Sequence, residues 1–148
     1  MRLRSFLVML AAASWMPQAV AQARLPMMEL TAGFHRIEAE VAATPEHRMV
    51  GLMNRKSMPL QNGMLFVFPQ TGRHCMWMRN TLLPLSVAFL DEKGAIINIE
   101  DMQPQTENNH CAARDARYAL EMNLGWFKTR GAAAGMPIGG IERAPRGM

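Results

Sequence analysis

The sequence is poor in the residues and motifs on which the commoner chemistries are built. Its two cysteines are too few for a disulfide-built miniprotein, and without a Cys-x-x-Cys pair there is no zinc ribbon. Aromatic residues make up 7% of the 148 residues, with one tyrosine, so aliphatic and methionine side chains must fill most of a core. Beyond the N-terminal segment no apolar run approaches the roughly 20 residues of a membrane-spanning helix. The sequence contains no Gly-x-Ser-x-Gly elbow, no His-Glu-x-x-His, no P-loop and no Gly-x-Gly-x-x-Gly. Ser57 and Ser86, the serines downstream of the leader, stand in no recognisable nucleophile setting. Charge is modest at 19%, against 49% hydrophobic residues, which excludes a disordered chain. The length suits one domain.

The N-terminus reads as an address. Arg2 and Arg4 precede a mostly apolar stretch from Phe6 to Trp15, Pro17 breaks it, and Ala19-Val20-Ala21 supplies a small-x-small cleavage site. Residues 1–21 are therefore predicted to be a signal peptide, cleaved after Ala21 or, as second choice, after Ala23. The apolar run is too short to span a bilayer, so no transmembrane anchor is expected after cleavage, and the product is expected to be periplasmic or secreted. Loss of Arg2 and Arg4 lowers the formal charge from +4 to +2. So small a charge offers no basic stripe for nucleic acid, and no nucleic-acid partner is expected.

Downstream, residues 22–33 read as a loose lead-in, 34–141 as the folded domain and 142–148 as a frayed tail. Ile37, Ala39 and Val41 alternate with Arg36, Glu38 and Glu40, the period of a half-buried strand. His35 falls at its start, on the apolar side. Thr44-Pro45-Glu46 is a helix entry, with a capping hydroxyl, proline in the first turn and an acid at the positive end. Met49, Leu52 and Met53 follow at helical spacing, predicting a helix of about ten residues. Arg48 and Arg55 fall on another face of it, which reads as solvated. Met64 to Phe68 is an unbroken apolar run bounded by Asn62-Gly63 and Pro69, suited to a strand covered on both sides. Arg73–Arg79 is a further candidate strand. Leu85–Leu90 and Ala95–Glu100 flank Asp91-Glu92-Lys93-Gly94, a hairpin signal. Residues 103–115 are an aperiodic loop. A last strand carries Tyr118, Leu120 and Met122 on one face and Arg117, Ala119, Glu121 and Asn123 on the polar one. A short helix then holds Trp126 and Phe127 ahead of Gly131, and residues 135–140 add an edge strand. Many short strands, two brief helices and no βαβ alternation predict a mainly β, single-domain, jelly-roll-like β-sandwich.

Several blocks carry a resemblance: Gly51-Leu52-Met53, Gly63 to Phe68, Trp77-Met78-Arg79-Asn80-Thr81 with Pro84-Leu85, Tyr118-Ala119-Leu120-Glu121, and Asn123 with Gly125-Trp126-Phe127. Together they resemble the bacterial and archaeal family catalogued as domain of unknown function 192. The resemblance implies a jelly-roll-like sandwich with one or two short helices and, as the family's name concedes, points to no established activity. Two departures stand out: Ser86 occupies a place where that family usually has an acid, and Gly135-Met136-Pro137 replaces a more typical glycine–acid turn.

Three constellations could carry function. In an oxidising compartment Cys75 and Cys111 are expected to pair, stabilising the fold by ~4 kcal/mol in the chain-entropy account. Alternatively His74, Cys75, His110 and Cys111 form a donor set for zinc or copper, with Met76 and Met78 as soft neighbours. Adjacent residues on a strand point to opposite faces, however, and so cannot both reach one ion without a bend. The abundant methionines are otherwise core filler. The third constellation is a surface of Trp77, Arg79, Asn80 and Thr81, with Arg48 and Glu121 as neighbours, suited to a sugar, a peptide or a small acid. Glu121 with Glu100 or Asp101 would supply a carboxylate pair for a hydrolase. The expectation is an exported, non-enzymatic binding or interaction module for a small molecule or envelope protein, with no cofactor. A soft-metal protein and a carboxylate hydrolase are the alternatives.

Overall fold

The computed structural model describes residues 25–148; the leader and both cleavage points lie outside them. The elements are β1 (Met27–Ala32), β2 (His35–Ala42), α1 (Pro45–Val50), β3 (Asn62–Gly72), β4 (Cys75–Met76), β5 (Leu85–Leu90), β6 (Ile96–Met102), β7 (His110–Cys111), β8 (Ala116–Asn123), α2 (Trp126–Thr129) and β9 (Ile138–Gly139). The mainly β single domain with two short helices is as the sequence predicts. The large sheet has seven strands in the order β6-β5-β8-β3-β2-β1-β9, and β4 pairs separately with β7. The two ends of the large sheet meet. Ala95 bridges Pro137, and Ile96 N–H and Ile138 N–H each donate at 2.9 Å, to Met136 and Gly94 carbonyls respectively. The opposing layers of the domain are therefore walls of one sheet curled upon itself, which leaves little open edge.

Period-two alternation assigns the two faces. Inside the curl lie Leu30, Ile37, Ala39, Val41, Leu65, Val67, Ala88, Leu90, Leu120 and Met122, plugged by Trp126 and Phe127 of α2. Outside lie Met64, Phe66, Leu85, Val87, Phe89 and Ala119, covered by Leu52, Met78 and Leu83 from irregular segments. Strands β3 and β5 are thus apolar on both sides, as the unbroken run at 64–68 implies for β3.

Several expectations are corrected. The lead-in holds β1, which pairs antiparallel with β2 from Met27↔Glu40 to Ala32↔His35. Only two of its residues, Leu30 and Ala32, are fully buried, with Met28 packed part-way against the same core, so its alternation is weak. The tail is docked rather than frayed: Met148 N–H donates to the Ala43 carbonyl at 2.9 Å, a backbone tie that hydropathy does not reveal. β2 and β3 pair in parallel, so β2-α1-β3 is one βαβ crossover where none was foreseen. α1 stops after six residues because Gly51, at φ 48°, turns the chain; Met49 is left exposed while Leu52 enters the core. The 73–79 strand shrinks to β4, and the loop at 103–115 contains β7.

The 91–94 hairpin forms as predicted, with the Asp91 carboxylate accepting from Lys93 N–H at 3.0 Å and Ala95 N–H at 2.9 Å. Gly94 there has φ 83°, and a Cβ on it would overlap Ile141 and come within 3.1 Å of the Ile138 carbonyl. Hairpin and sheet closure share this position. Gly94→Ala is expected to lower stability by about 2–3 kcal/mol, measured as a lower urea midpoint with an unchanged denaturant slope.

Candidate functional site

The outer cover of β3 and β8 is incomplete at one point. There a small pocket opens, with enclosed room for about one water molecule; it is lined by Arg48, Met49, Val50, Gly51, Leu52, Met53, Phe66, Met76, Trp77, Thr81 and Glu121. Its floor is Glu121. In register Glu121 lies between Met64 of β3 and Val87 of β5, and it is 4% exposed. Burial raises its carboxyl to about 8 from an ordinary 4.5, because low-dielectric surroundings disfavour the charged form. No hydrogen bond from a described residue opposes that shift. Nor is any buried side-chain oxygen sealed off without a partner among the described residues, so the carboxyl reaches open space through the pocket it lines. The sequence pattern placed Glu121 on the correct, outward face of its strand. What it missed is that segments 48–58 and 73–83 cover that face.

The walls come from two turns. α1 is capped by Thr44, whose hydroxyl accepts from His47 N–H at 3.2 Å, and Gly51 then brings the chain against Phe66. A Cβ at Gly51 would stand 3.2 Å from the Phe66 ring, so glycine allows this wall to close. The opposite wall, Met76-Trp77, leaves the β4–β7 ladder, where Cys75 pairs directly with Cys111 and is joined to it by a disulfide. Met78 N–H donates to Thr106 O and Gln105 N–H to Thr81 O, both at 3.0 Å. The loop at 103–111 thus holds the wall at both ends. Asn80, in the left-handed region at φ 53°, makes the turn that sends Thr81 inward.

Of the six candidate contact residues the structure brings four, Arg48, Trp77, Thr81 and Glu121, to this pocket. Trp77 remains 42% exposed at the rim. Arg79 places its guanidinium 5.5 Å from the Trp77 ring and faces Glu107 at 3.6 Å, outside the pocket lining; Asn80 serves the turn. Arg48 is not solvated as the sequence reading had it. Its terminal nitrogens donate to the carbonyls of Ala43 (2.7 Å), Val67 (3.0 Å) and Met148 (2.6 Å), so it offers the pocket little beyond its stem. Arg55 is likewise engaged, in a two-pronged pair with Glu40.

The other constellations come apart. The disulfide takes both sulfurs from the alternative metal set, His74 stacks on Phe68 with ring centroids 3.7 Å apart, and His110 bonds Asn108 at 3.1 Å. Asp101 pairs with Ser86 and Glu100 with Val87, so Asp101 lies on the opposite face of the sheet from Glu121. Glu100 shares Glu121's face but opens onto a separate pocket, with Ser86 and Asp101. Ser86, the departure from the family's acid, donates to Asp101 at 2.6 Å and accepts from Gly125 N–H at 2.9 Å. Its hydroxyl links α2's entry to an acid supplied by the neighbouring strand.

Fold and pocket define a small β domain with one covered outer face and a buried carboxyl beneath the cover. The chain belongs to the DUF192 family (Uncharacterized ACR, COG1430), whose model matches residues 28–140. It is similar, at 33% identity and a TM-score of 0.77, to a Sinorhizobium meliloti 1021 protein provisionally described as a transcription regulator, over 81% of this chain and 98% of that one. It is also similar, at 28% identity and a TM-score of 0.74, to a protein of unknown function from Novosphingobium aromaticivorans DSM 12444, over 86% of this chain and 92% of that one. No curated protein matches the sequence. The blocks by which the chain resembles the family supply Gly51, Leu52, Met53, Phe66, Trp77, Thr81 and Glu121, all of them pocket residues.

The raised Glu121 carboxyl makes stability pH-dependent. The folded state keeps its proton up to about pH 8, whereas the unfolded chain releases it near 4.5. The contribution is therefore fully present below pH 4.5 and lost as pH rises through 8. Glu121→Gln removes the term: relative to the parent it is expected to gain up to about 4 kcal/mol between pH 5 and pH 8, read from paired urea titrations across that range.

Proposed function

We propose that this protein is an exported, periplasmic binding module that takes a small ligand at the Glu121 pocket, without catalysing a reaction on it. The observation that carries the reading is a buried carboxyl, without a hydrogen bond from any described residue, at the floor of a pocket walled by residues from four of the family-resembling blocks. A strongly perturbed titratable group in a concave site is a functional-site candidate on physical grounds. Unpaired burial also costs stability, which a purely structural position would be better without. The rim supports binding as well: Met49, Val50 and Trp77 are exposed apolar side chains around one opening.

Export is supported by the leader-like N-terminus and by the Cys75–Cys111 bridge, since such bridges persist in oxidising compartments. No helix of the described residues is long and apolar enough to cross a membrane. The regulator description of the Sinorhizobium relative is not extended to this chain, whose charge after loss of the leader arginines is +2.

Two measurements test the reading. Intact mass of the protein recovered from the periplasm is expected to show cleavage after Ala21 or Ala23 and two hydrogens fewer than the dithiol. An unprocessed, fully alkylatable chain would overturn export. Trp77→Ala is expected to change stability by less than about 1 kcal/mol, as for a half-exposed side chain, yet to weaken by tenfold or more any ligand retained by the parent in a thermal-shift screen. Unaltered binding would remove the pocket from the function.

A further inference from the structure

The pocket's polar inventory restricts what it can hold. Its two buried polar side chains are Glu121 and Thr81, 4% and 5% exposed. The Thr81 hydroxyl already donates, to the Arg79 carbonyl at 3.1 Å, which leaves its lone pairs as acceptors. Glu121, which burial keeps protonated below about pH 8, accepts at both oxygens once a cation displaces that proton. The charged side chain that might have filled the carboxyl's demand, Arg48, has both terminal nitrogens committed to backbone carbonyls. The remaining lining is apolar or thioether (Met49, Val50, Leu52, Met53, Phe66, Met76), with the Trp77 indole at the mouth. Acceptors at the bottom, soft apolar walls and an indole above describe a receptacle for a donor-rich cation on an apolar stem.

Resting on the binding-module reading, we infer that the pocket recognises a primary alkylammonium group: the ammonium sits against Glu121 and Thr81, and its alkyl stem lies between Met49, Val50 and Trp77. The space fits. The enclosed part of the pocket holds about one water molecule, which suits a headgroup of that size. A cation favours the ionised form of Glu121, so ammonium binding expels the proton that burial holds on the carboxyl up to about pH 8 and strengthens as pH rises towards that value. An ammonium supplies the counter-charge that the described residues do not, and charge-assisted hydrogen bonds in a dry site are the strong ones.

The test is a ¹⁵N–¹H NMR titration of the mature, disulfide-bonded protein with n-butylammonium chloride, with n-butanol and sodium butyrate as neutral and anionic matches of the same stem. n-Butylammonium is expected to saturate shifts at Gly51, Thr81 and the Trp77 indole in the millimolar range, with butanol and butyrate at least tenfold weaker. Glu121→Gln should cut ammonium affinity tenfold or more while keeping the parent's dispersed spectrum. Thr81→Val, which retains shape without the hydroxyl, should weaken binding severalfold. Butanol binding as tightly as the ammonium, with Glu121→Gln indifferent, would overturn the cation assignment and leave the pocket's binding role intact. The same division would follow if silver(I) quenched Trp77 fluorescence and shifted the pocket's methionine signals while the ammonium did nothing. Binding of none of these probes at tens of millimolar would also overturn the ammonium assignment, and the Trp77→Ala comparison would then decide alone whether the pocket binds anything.

Discussion

Everything in this domain follows from two strands, β3 and β5, being apolar on both faces, with β8 between them. A sheet of that kind cannot leave either side in water, because each exposed apolar side chain would forfeit on the order of 1.5–3 kcal/mol of burial. The inward side is served by curling the sheet until its ends meet at residues 94–96 and 135–138. The outward side has no second sheet to pack on. It is covered instead by the chain after α1, through Leu52 and Met58, and by the strap from Met76 to Leu83.

A cover made of irregular chain needs ties of its own, and the structure supplies them at intervals. Arg48 gathers the carbonyls of Ala43, Val67 and Met148. Asn54 N–H donates to the Asn80 carbonyl at 2.8 Å, joining the two covering segments to each other. The Cys75–Cys111 bridge fastens the strap to the loop beyond β6. These ties hold the walls of the pocket apart as well as holding the cover down, so the same contacts that complete the fold also shape the opening above Glu121.

Within that arrangement Glu121 is an anomaly of the productive kind. Its strand position obliges it to face outward, the cover leaves it 4% exposed, and no described residue hydrogen-bonds its carboxyl. A leucine there would satisfy the sheet better. A group that costs stability in a place shaped by so many elements reads most naturally as one kept for what it meets.

Much of this was legible in the chain. Period-two alternation located β2 and β8, and the unbroken apolar run at 64–68 located β3 and its burial on both faces. Asp91 to Gly94 announced the hairpin through its need for a positive φ, Thr44-Pro45 marked the start of α1, and the two cysteines in an exported-looking chain implied their bond. β1 and the docked tail were missed because two fully buried side chains and a few backbone hydrogen bonds leave almost no hydropathic trace. The sequence by itself determined the strands, the turns and the side of the sheet on which each side chain would stand, since those follow from local sterics and alternation. Which outward faces would be roofed, and that Arg48 would be spent while Glu121 would be stranded, only the tertiary structure decided. Such burial is settled by segments arriving from distant parts of the chain, and a strand's own pattern says which way a residue points but not what comes to lie over it.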